Sequence, residues 1–253
     1  MTDYEDKKRK FASMITLYGR KPVLEILLDP ETSIFRLHLA ESNQRGDTIT
    51  QIRKIAQKRG IDIITHPKGA LSRISKNARQ DQGVAIDIAP PKYQSVEQVS
   101  DNAGQLLALD GITNPQNLGM IVRSVAASPM NGLLLPKKCC AKIDPLVHKA
   151  SAGTLIKSSI YHCPTIESGL KSLRSKGYQL IGLSGGVDRS LGDIGNANEK
   201  IVFVLGNETT GISEPVLALC DELACIPLES GVESINVAMA ATLVAFRTTF
   251  NGT

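Results

Sequence analysis

The stretch QLLALDGITNPQNLGMIVRSVAASPMNGLLLP, residues 105–136, decides the fold. Its first segment, QLLALDG (105–111), is apolar almost throughout and reads as a strand. NLGMIVRSVAAS (117–128) follows with helical spacing, and GLLLP (132–136) is a second apolar strand. Strands that are apolar on both faces, alternating with helices, belong to a parallel sheet covered on both sides.

The pattern continues downstream. A helix is expected over PLVHKASAG (145–153), a strand over SSIYHCP (158–164), a helix over TIESGLKSLRSKG (165–177) and a strand over YQLIGLS (178–184). KIVFVLG (200–206), ISEPVLALC (212–220), LACIPL (223–228) and NVAMAATLVAFRTTF (236–250) extend it as strand, helix, strand and helix. Upstream, a smaller αβ region is expected. GRKPVLEILL (19–28) reads as a helix and SIFRLHLA (33–40) as a strand. DTITQIRKIAQKRG (47–60) reads as a helix capped by Asp47, and IDIITH (61–66) as a strand. ALSRIS (70–75) reads as a short helix and GVAIDIA (83–89) as a strand. The division expected is a basic arm at 1–13, a small domain at 14–90, a polar proline-led linker at 91–104, and the α/β domain at 105–253.

The 253 residues are 42% hydrophobic, enough to bury a sizeable core. No apolar run reaches the ~18 residues of a membrane span, and MTDYEDKKRKF does not resemble a secretory leader. Five cysteines without a C-x-x-C pair fit neither a disulfide framework nor a metal knuckle. Cys139, Cys140 and Cys163 read as small buried apolar residues, and a reducing cytoplasm is the expected setting. The charge is unevenly placed. Residues 1–100 hold 17 Lys and Arg against 12 Asp and Glu, and the remainder holds 12 against 13. A basic first part suits a polyanionic partner.

In open α/β sheets ligands bind beyond the carboxyl ends of the strands. Three such ends are rich in glycine and polar residues: LDGITNPQNLGMIVRS (109–124), VLGNETTGIS (204–213) and IPLESGVESINVAMAATLVAF (226–246). None carries G-x-x-x-x-G-K-[ST] or a dinucleotide G-x-G-x-x-G, which disfavours ATP hydrolysis and NAD binding. Asn117 and Arg123 stand nearly two helical turns apart, roughly 600° at ~100° per residue, a loose fit to one side of a helix. Arg123 lies among Met120, Ile121, Val122 and Val125, so its guanidinium is expected to be partly enclosed, with Glu208 as a candidate partner. Such a pair would equally serve to link two loops. Ser234 or Asn236 is placed to cap the last helix.

Together the three segments resemble the SpoU family, the TrmH-like branch of the SPOUT RNA methyltransferases. Asn117, Gly119 and Arg123 match its N-x-G-x-x-x-R, LGNETTG its L-G-x-E-x-x-G, and IPLESGVESINVA its I-P-M-x-G-x-x-x-S-L-N-V-S. LYGRKPVLEILL and QDQGVAI resemble the ends of the family's L30e-like substrate-binding domain. The likeness runs from about residue 14 and has departures. Ala238 stands where serine is frequent, Asp81-Gln82-Gly83 where His-Gln-Gly is common, and Thr154 where alanine is usual.

The resemblance implies an L30e-like αβ domain followed by a SPOUT domain with a parallel sheet and a deep trefoil knot. It implies S-adenosyl-L-methionine as cofactor, methyl transfer to a ribose 2′-OH of RNA (rRNA ahead of tRNA), a homodimer, and no metal. It also implies a catalytic group of Asn117, Arg123, Glu208, Ser234 and Asn236, with Leu205, Gly206, Ile226, Leu228 and Ile235 around the cofactor. A guanidinium gives up its proton only above about pH 12, so binding of phosphate or ribose oxygen suits Arg123 better than the role of base. The alternative from another class is a catalytically silent RNA-binding or ribosome-assembly factor on the same fold.

Overall fold

The computed structural model describes residues 14–43, 46–78, 80–91, 93–195 and 199–249. The expected basic arm lies outside them. The described residues form two compact units, one of those up to 92 together with 143–156, the other of those in 93–142 and from 157 onward.

In the first unit the strands are β1 (Ile15–Tyr18), β2 (Ile34–Ala40), β3 (Ile63–His66) and β4 (Val84–Ile88). The helices are α1 (Arg20–Leu28), α2 (Asp47–Lys58) and α3 (Lys68–Ser75). The sheet order is β1-β4-β2-β3, antiparallel except for the β2–β3 pair. Alternation along β4 explains its two faces. Val84, Ile86 and Ile88 join Leu37 and Leu39 in a core closed by Val23, Ile26, Ile49 and Ile52 of α1 and α2. Ala85 faces the other way with Tyr18, Ala40 and Leu71. Asp87 lies on that second face and is buried. Its carboxylate accepts from Thr16 Oγ1 at 2.7 Å and pairs with His38 Nε2 at 3.0 Å. Burial alone would raise this carboxyl, but the hydrogen bonds from His38 and Thr16, aided by Arg36, hold it below the usual carboxylate range.

The second unit is built on β5 (Gln94–Ser95), β6 (Gln105–Leu109), β7 (Gly132–Pro136), β8 (Ile160–Cys163), β9 (Gln179–Leu183), β10 (Ile201–Leu205) and β11 (Glu222–Ala224). The order β11-β9-β10-β6-β7-β8-β5 is parallel at every pair. The connecting helices are α4 (Pro115–Ala126), α6 (Ile166–Ser175), α7 (Glu214–Leu217) and α8 (Val237–Phe246). Leu106, Leu180 and Val202 pack with Leu170, Leu173 and Val216 of α6 and α7 on one face. The packed pair α4 and α8 meets β7 and β10. The parallel α/β architecture expected from 105–136 is therefore present. At the far end of α8, Arg247 donates to the carbonyls of Ile194 and Gly195, both at 2.8 Å, and tethers that end to the β9–β10 connection.

Several local expectations change. β1 was not foreseen. The segment read as a linker supplies the edge strand β5 and a 3-10 turn, Val96–Gln98, whose Val96 is buried. Gly46, not Asp47, caps α2. The cysteines are not uniformly buried: Cys163 is, while Cys139 is exposed and Cys140, Cys220 and Cys225 are intermediate.

Residues 145–153 were expected as one helix. The helix α5 is confined to Pro145–Ala150, with Asp144 as its cap, and it packs against β1 in the first unit. His148 within it is 1% exposed, and neither ring nitrogen has a hydrogen-bond partner among the described residues. Burial pushes its pKa down to about 4. The folded state thus holds His148 neutral while the unfolded chain takes up a proton below about pH 6.5. Stability from this group is complete above that value and is lost as pH falls towards 4, by an amount on the order of 3 kcal/mol. Denaturant unfolding at pH 7 and pH 4.5 should show a smaller acid loss in His148→Phe than in the parent chain. Equal losses would contradict the assignment.

Candidate active site

The second sheet reverses its strand order between β6 and β10, and the loops after these strands are tied together there. Asp110 N donates to Leu205 O at 2.8 Å, Asn207 Nδ2 to Gly111 O at 2.8 Å, and Ser213 N to Asp110 Oδ2 at 2.8 Å. The loop after β10 closes tightly, with Asn207 and Gly211 exchanging both backbone hydrogen bonds at 2.9 Å. A Cβ on Gly206 would stand 2.1 Å from the Gly211 carbonyl carbon and the Ile212 nitrogen. Only glycine fits this position.

Beside this loop lies a cleft of about 330 Å³. Leu205, Ile226, Leu228 and Ile235 give it apolar walls, and Gly206, Glu208 and Ser234 line it as well. All five residues expected around a cofactor therefore border one space. The cleft also takes in Ser184, Gly185, Thr210 and Glu233, which the motifs did not single out. Gly185 had the same signal that drew attention to Gly206, a glycine just beyond an apolar strand. The charge pattern is one-sided: Glu208 and Glu233 are among the lining residues, and no Lys, Arg or His is. Such a lining favours a cationic ligand over a phosphorylated one.

Three of the expected catalytic residues form one hydrogen-bonded chain. Asn117 Nδ2 donates to the Glu208 carboxylate, and Asn236 Nδ2 donates to Asn117 Oδ1 at 3.2 Å. Asn236 Oδ1 accepts from Ala238 N at 2.8 Å, so Asn236 is also the N-cap of α8. The direction is forced. An ionised carboxylate only accepts, so Asn117 must turn its NH₂ to Glu208 and its oxygen to Asn236. Asn236 must then offer its NH₂ to Asn117 and its oxygen to the helix. Ser234 is exposed, does not cap α8, and is among the residues that line the cleft.

Arg123 is the exception. Asn117 is 7% exposed on the inner side of α4, whereas Arg123 is exposed. Roughly 600° of helical rotation leaves two residues about 120° apart, not superposed. The expected enclosure of Arg123 and its pairing with Glu208 are therefore not found. Glu208 takes Asn117 instead. Cysteine chemistry has no support here: burial pushes the Cys220 thiol up to about 11 and that of Cys163 to about 12. Among the described residues, no group of three or more His, Cys, Asp or Glu is placed to hold a metal ion. No helix among them is long and apolar enough to cross a membrane.

The double duty of Asn236 can be separated. Asn236→Asp keeps an acceptor for the helix but cannot donate to Asn117, whereas Asn236→Ala loses both. The alanine variant should be less stable than the aspartate variant by about 1 kcal/mol, the value of an N-cap. Both should disorder the Asn117–Glu208 contact, read as a matching fall in ligand affinity at the cleft. Equal stability of the two variants would show that the cap contributes nothing.

Comparison with known proteins extends these findings. Residues 104–246 match the SpoU rRNA Methylase family, and residues 16–94 match the module described as RNA 2'-O ribose methyltransferase substrate binding. A protein of Mycobacterium ulcerans described as an uncharacterized tRNA/rRNA methyltransferase is 32% identical over 236 residues, covering 90% of this chain and 74% of that one. A protein of Mycolicibacterium vanbaalenii with the same description is 34% identical, covering 89% of this chain and 73% of its own. Among solved structures, the SpoU methyltransferase AviRb from Streptomyces viridochromogenes, in complex with AdoMet, aligns with a TM-score of 0.79 at 21% identity. That alignment covers 96% of this chain and 91% of AviRb. An AdoMet-bound rRNA methyltransferase from Sinorhizobium meliloti aligns at 0.77 and 21%, covering 96% of this chain and 89% of its own. At such identities these two likenesses concern the fold. The match across most of the second unit, and relatives about one-third identical over nine-tenths of the sequence, establish that the chain belongs to the SpoU rRNA methylase family.

Proposed function

We propose that the protein transfers a methyl group from S-adenosyl-L-methionine to a ribose 2′-OH of RNA, with rRNA ahead of tRNA as substrate. The observation that carries the donor assignment is the cleft itself. Its lining holds two carboxylates and no cationic side chain, between apolar walls and the backbone of the Gly206 loop. This suits a ligand that joins a sulfonium to an apolar adenine face and disfavours a nucleotide polyphosphate. The AdoMet-bound relatives of the same fold support the same choice. The ribose assignment draws support from the module matched over residues 16–94 and from a solved RNA 2'-O ribose methyltransferase that aligns with a TM-score of 0.75.

The donor supplies a methyl group already activated by its sulfonium. The protein's task is to align the 2′-oxygen and to accommodate the charge that develops as its proton leaves. In this reading Leu205, Gly206, Ile226, Leu228 and Ile235 hold the donor. Asn117 and Asn236, oriented by Glu208 and by the end of α8, present a fixed polar edge, and Ser234 adds a hydroxyl. Arg123, lacking an internal partner among the described residues, is free to bind a phosphate or the ribose oxygen. The exposed sides of α4 and α8 carry Met120, Met239 and Leu243, which are 43%, 64% and 48% exposed. An apolar face of this kind supports assembly as a homodimer. The threaded chain end and the L30e-like first domain implied by the resemblance belong to the same proposal, as does a cytoplasmic setting.

Calorimetric titration with S-adenosyl-L-methionine should show binding, and labelled donor should methylate bulk rRNA more than tRNA. Arg123→Lys should keep the fold and donor binding while lowering transfer by about 100-fold or more. Near-parental transfer by that variant would reject the need for a guanidinium. Donor uptake without transfer to any RNA would leave a silent RNA-binding factor and overturn the enzymatic reading.

A further inference from the structure

A second cavity, of about 450 Å³, lies wholly within the first unit. It is lined by the start of α1, the segment after β2 and the turn before β4, with Arg20, Ser42, Asn43, Asp81 and Gln82 as its polar groups. Its walls are firmly built. Asn43 Nδ2 donates to the carbonyls of Gln82 and Gly83, at 2.9 and 3.1 Å, and the Gln82 side chain accepts from Arg20 N at 2.9 Å. Gln82 and Gly83 are both left-handed, with φ of 55° and 72°. A Cβ on Gly83 would sit 2.9 Å from Asn43 Nδ2. A non-glycine residue held in that conformation next to such a close contact marks a shape maintained by its surroundings.

The charge of Arg20 is the unbalanced feature. Its Nη2 donates to the neutral Asn43 Oδ1 at 2.7 Å, and its buried Nε has no acceptor. No carboxylate pairs with it among the described residues. Asp81, the one acid on the cavity wall, is turned to other donors. It accepts from Gly83 N at 2.9 Å and from Ser75 and Ser72 at 2.9 and 3.4 Å. A half-buried guanidinium normally has an anionic partner, because enclosure removes the water that would otherwise stabilise it. Here the chain supplies only a neutral amide. The missing partner is anionic, sits beside a helix start and meets a planar fork of donors, which is the chemistry of a phosphate group. The cavity is larger than a lone phosphate ion needs and has room for the adjoining sugar.

We infer that this cavity, in the first unit, anchors one backbone phosphate of the RNA substrate on Arg20. The inference rests on the RNA-methylating function proposed above. It gives the basic excess of residues 1–100 a specific point of contact, and it assigns part of the RNA affinity to the first unit.

The test uses the full chain, with Arg20→Gln and Arg20→Lys compared by binding to bulk rRNA over a range of salt. Arg20→Gln should weaken RNA binding about tenfold, the loss of one charge-assisted contact. It should also lower the slope of log affinity against log salt by about 0.7–0.9, the share of one phosphate. Arg20→Lys keeps the charge without the fork, so it should keep the slope and lose part of the affinity. Donor binding, measured in parallel, should stay at the parental value in both variants. Unchanged RNA affinity and slope in the two variants would overturn the inference and leave the proposed function standing. Arg20-dependent binding of inorganic phosphate with no effect on RNA would overturn it too, by making the cavity a small-anion site. A parental chain that binds donor but no RNA would overturn the functional reading and this inference together.

Discussion

The candidate site depends on a hydrogen-bonded chain whose direction cannot be reversed. It starts at a backbone N–H of α8, passes through the amides of Asn236 and Asn117, and ends on the carboxylate of Glu208. Each amide has an oxygen end and a nitrogen end, and each is oriented by a group that can only donate or only accept. Three segments far apart in sequence are thereby locked at the carboxyl end of the sheet. A helix terminus would otherwise leave unpaired N–H groups, and a carboxylate at a ligand cleft would otherwise rely on solvent. The same residues satisfy both and present fixed dipoles beside the cleft. Fixed dipoles cost no reorganisation when charge develops, which is the condition electrostatic catalysis requires.

What the sequence revealed depended on how local each signal was. GLLLP reads as a strand because it is apolar and bounded by glycine and proline, and β7 spans those same residues. β5 was invisible because its two polar residues form a strand only by pairing with β8, far along the chain. The short β1 stands between a charged arm and a glycine, too brief for alternation to declare itself. Asp47 offered a better cap than glycine on propensity, yet the chain places Gly46 at the cap with a φ of 125°, a conformation that favours glycine. Local rules also foresaw a cap at Ser234 or Asn236, and Asn236 takes that role.

At the site, the motifs named Leu205, Ile226, Leu228 and Ile235 because they mark backbone turns that recur at fixed spacing, but not Leu183, Ile212, Leu217 or Val237, which also line the cleft. They said less about side-chain direction. Arg123 looked enclosed because its sequence neighbours are apolar, but neighbours in a helix point to different sides. For the same reason Glu208 meets Asn117 and not Arg123. Glu233 and Gly185 went unremarked although both have physical signals, an acid in a ligand loop and a glycine after an apolar strand. Charge is segregated in the same way. The cleft beside the Gly206 loop has an acidic lining, while the basic excess lies in the first hundred residues. In the proposed reading a cationic donor meets the acidic lining, and the basic part of the chain suits a polyanionic substrate.

Alkaline hydrolysis identifies the atom that receives the methyl group. RNA is methylated with label-bearing donor, digested with alkali and separated by size. A methyl on a 2′-oxygen blocks attack on the adjacent phosphate, so the label should appear in an alkali-resistant dinucleotide. Label in mononucleotides would place the methyl on a base and contradict the account.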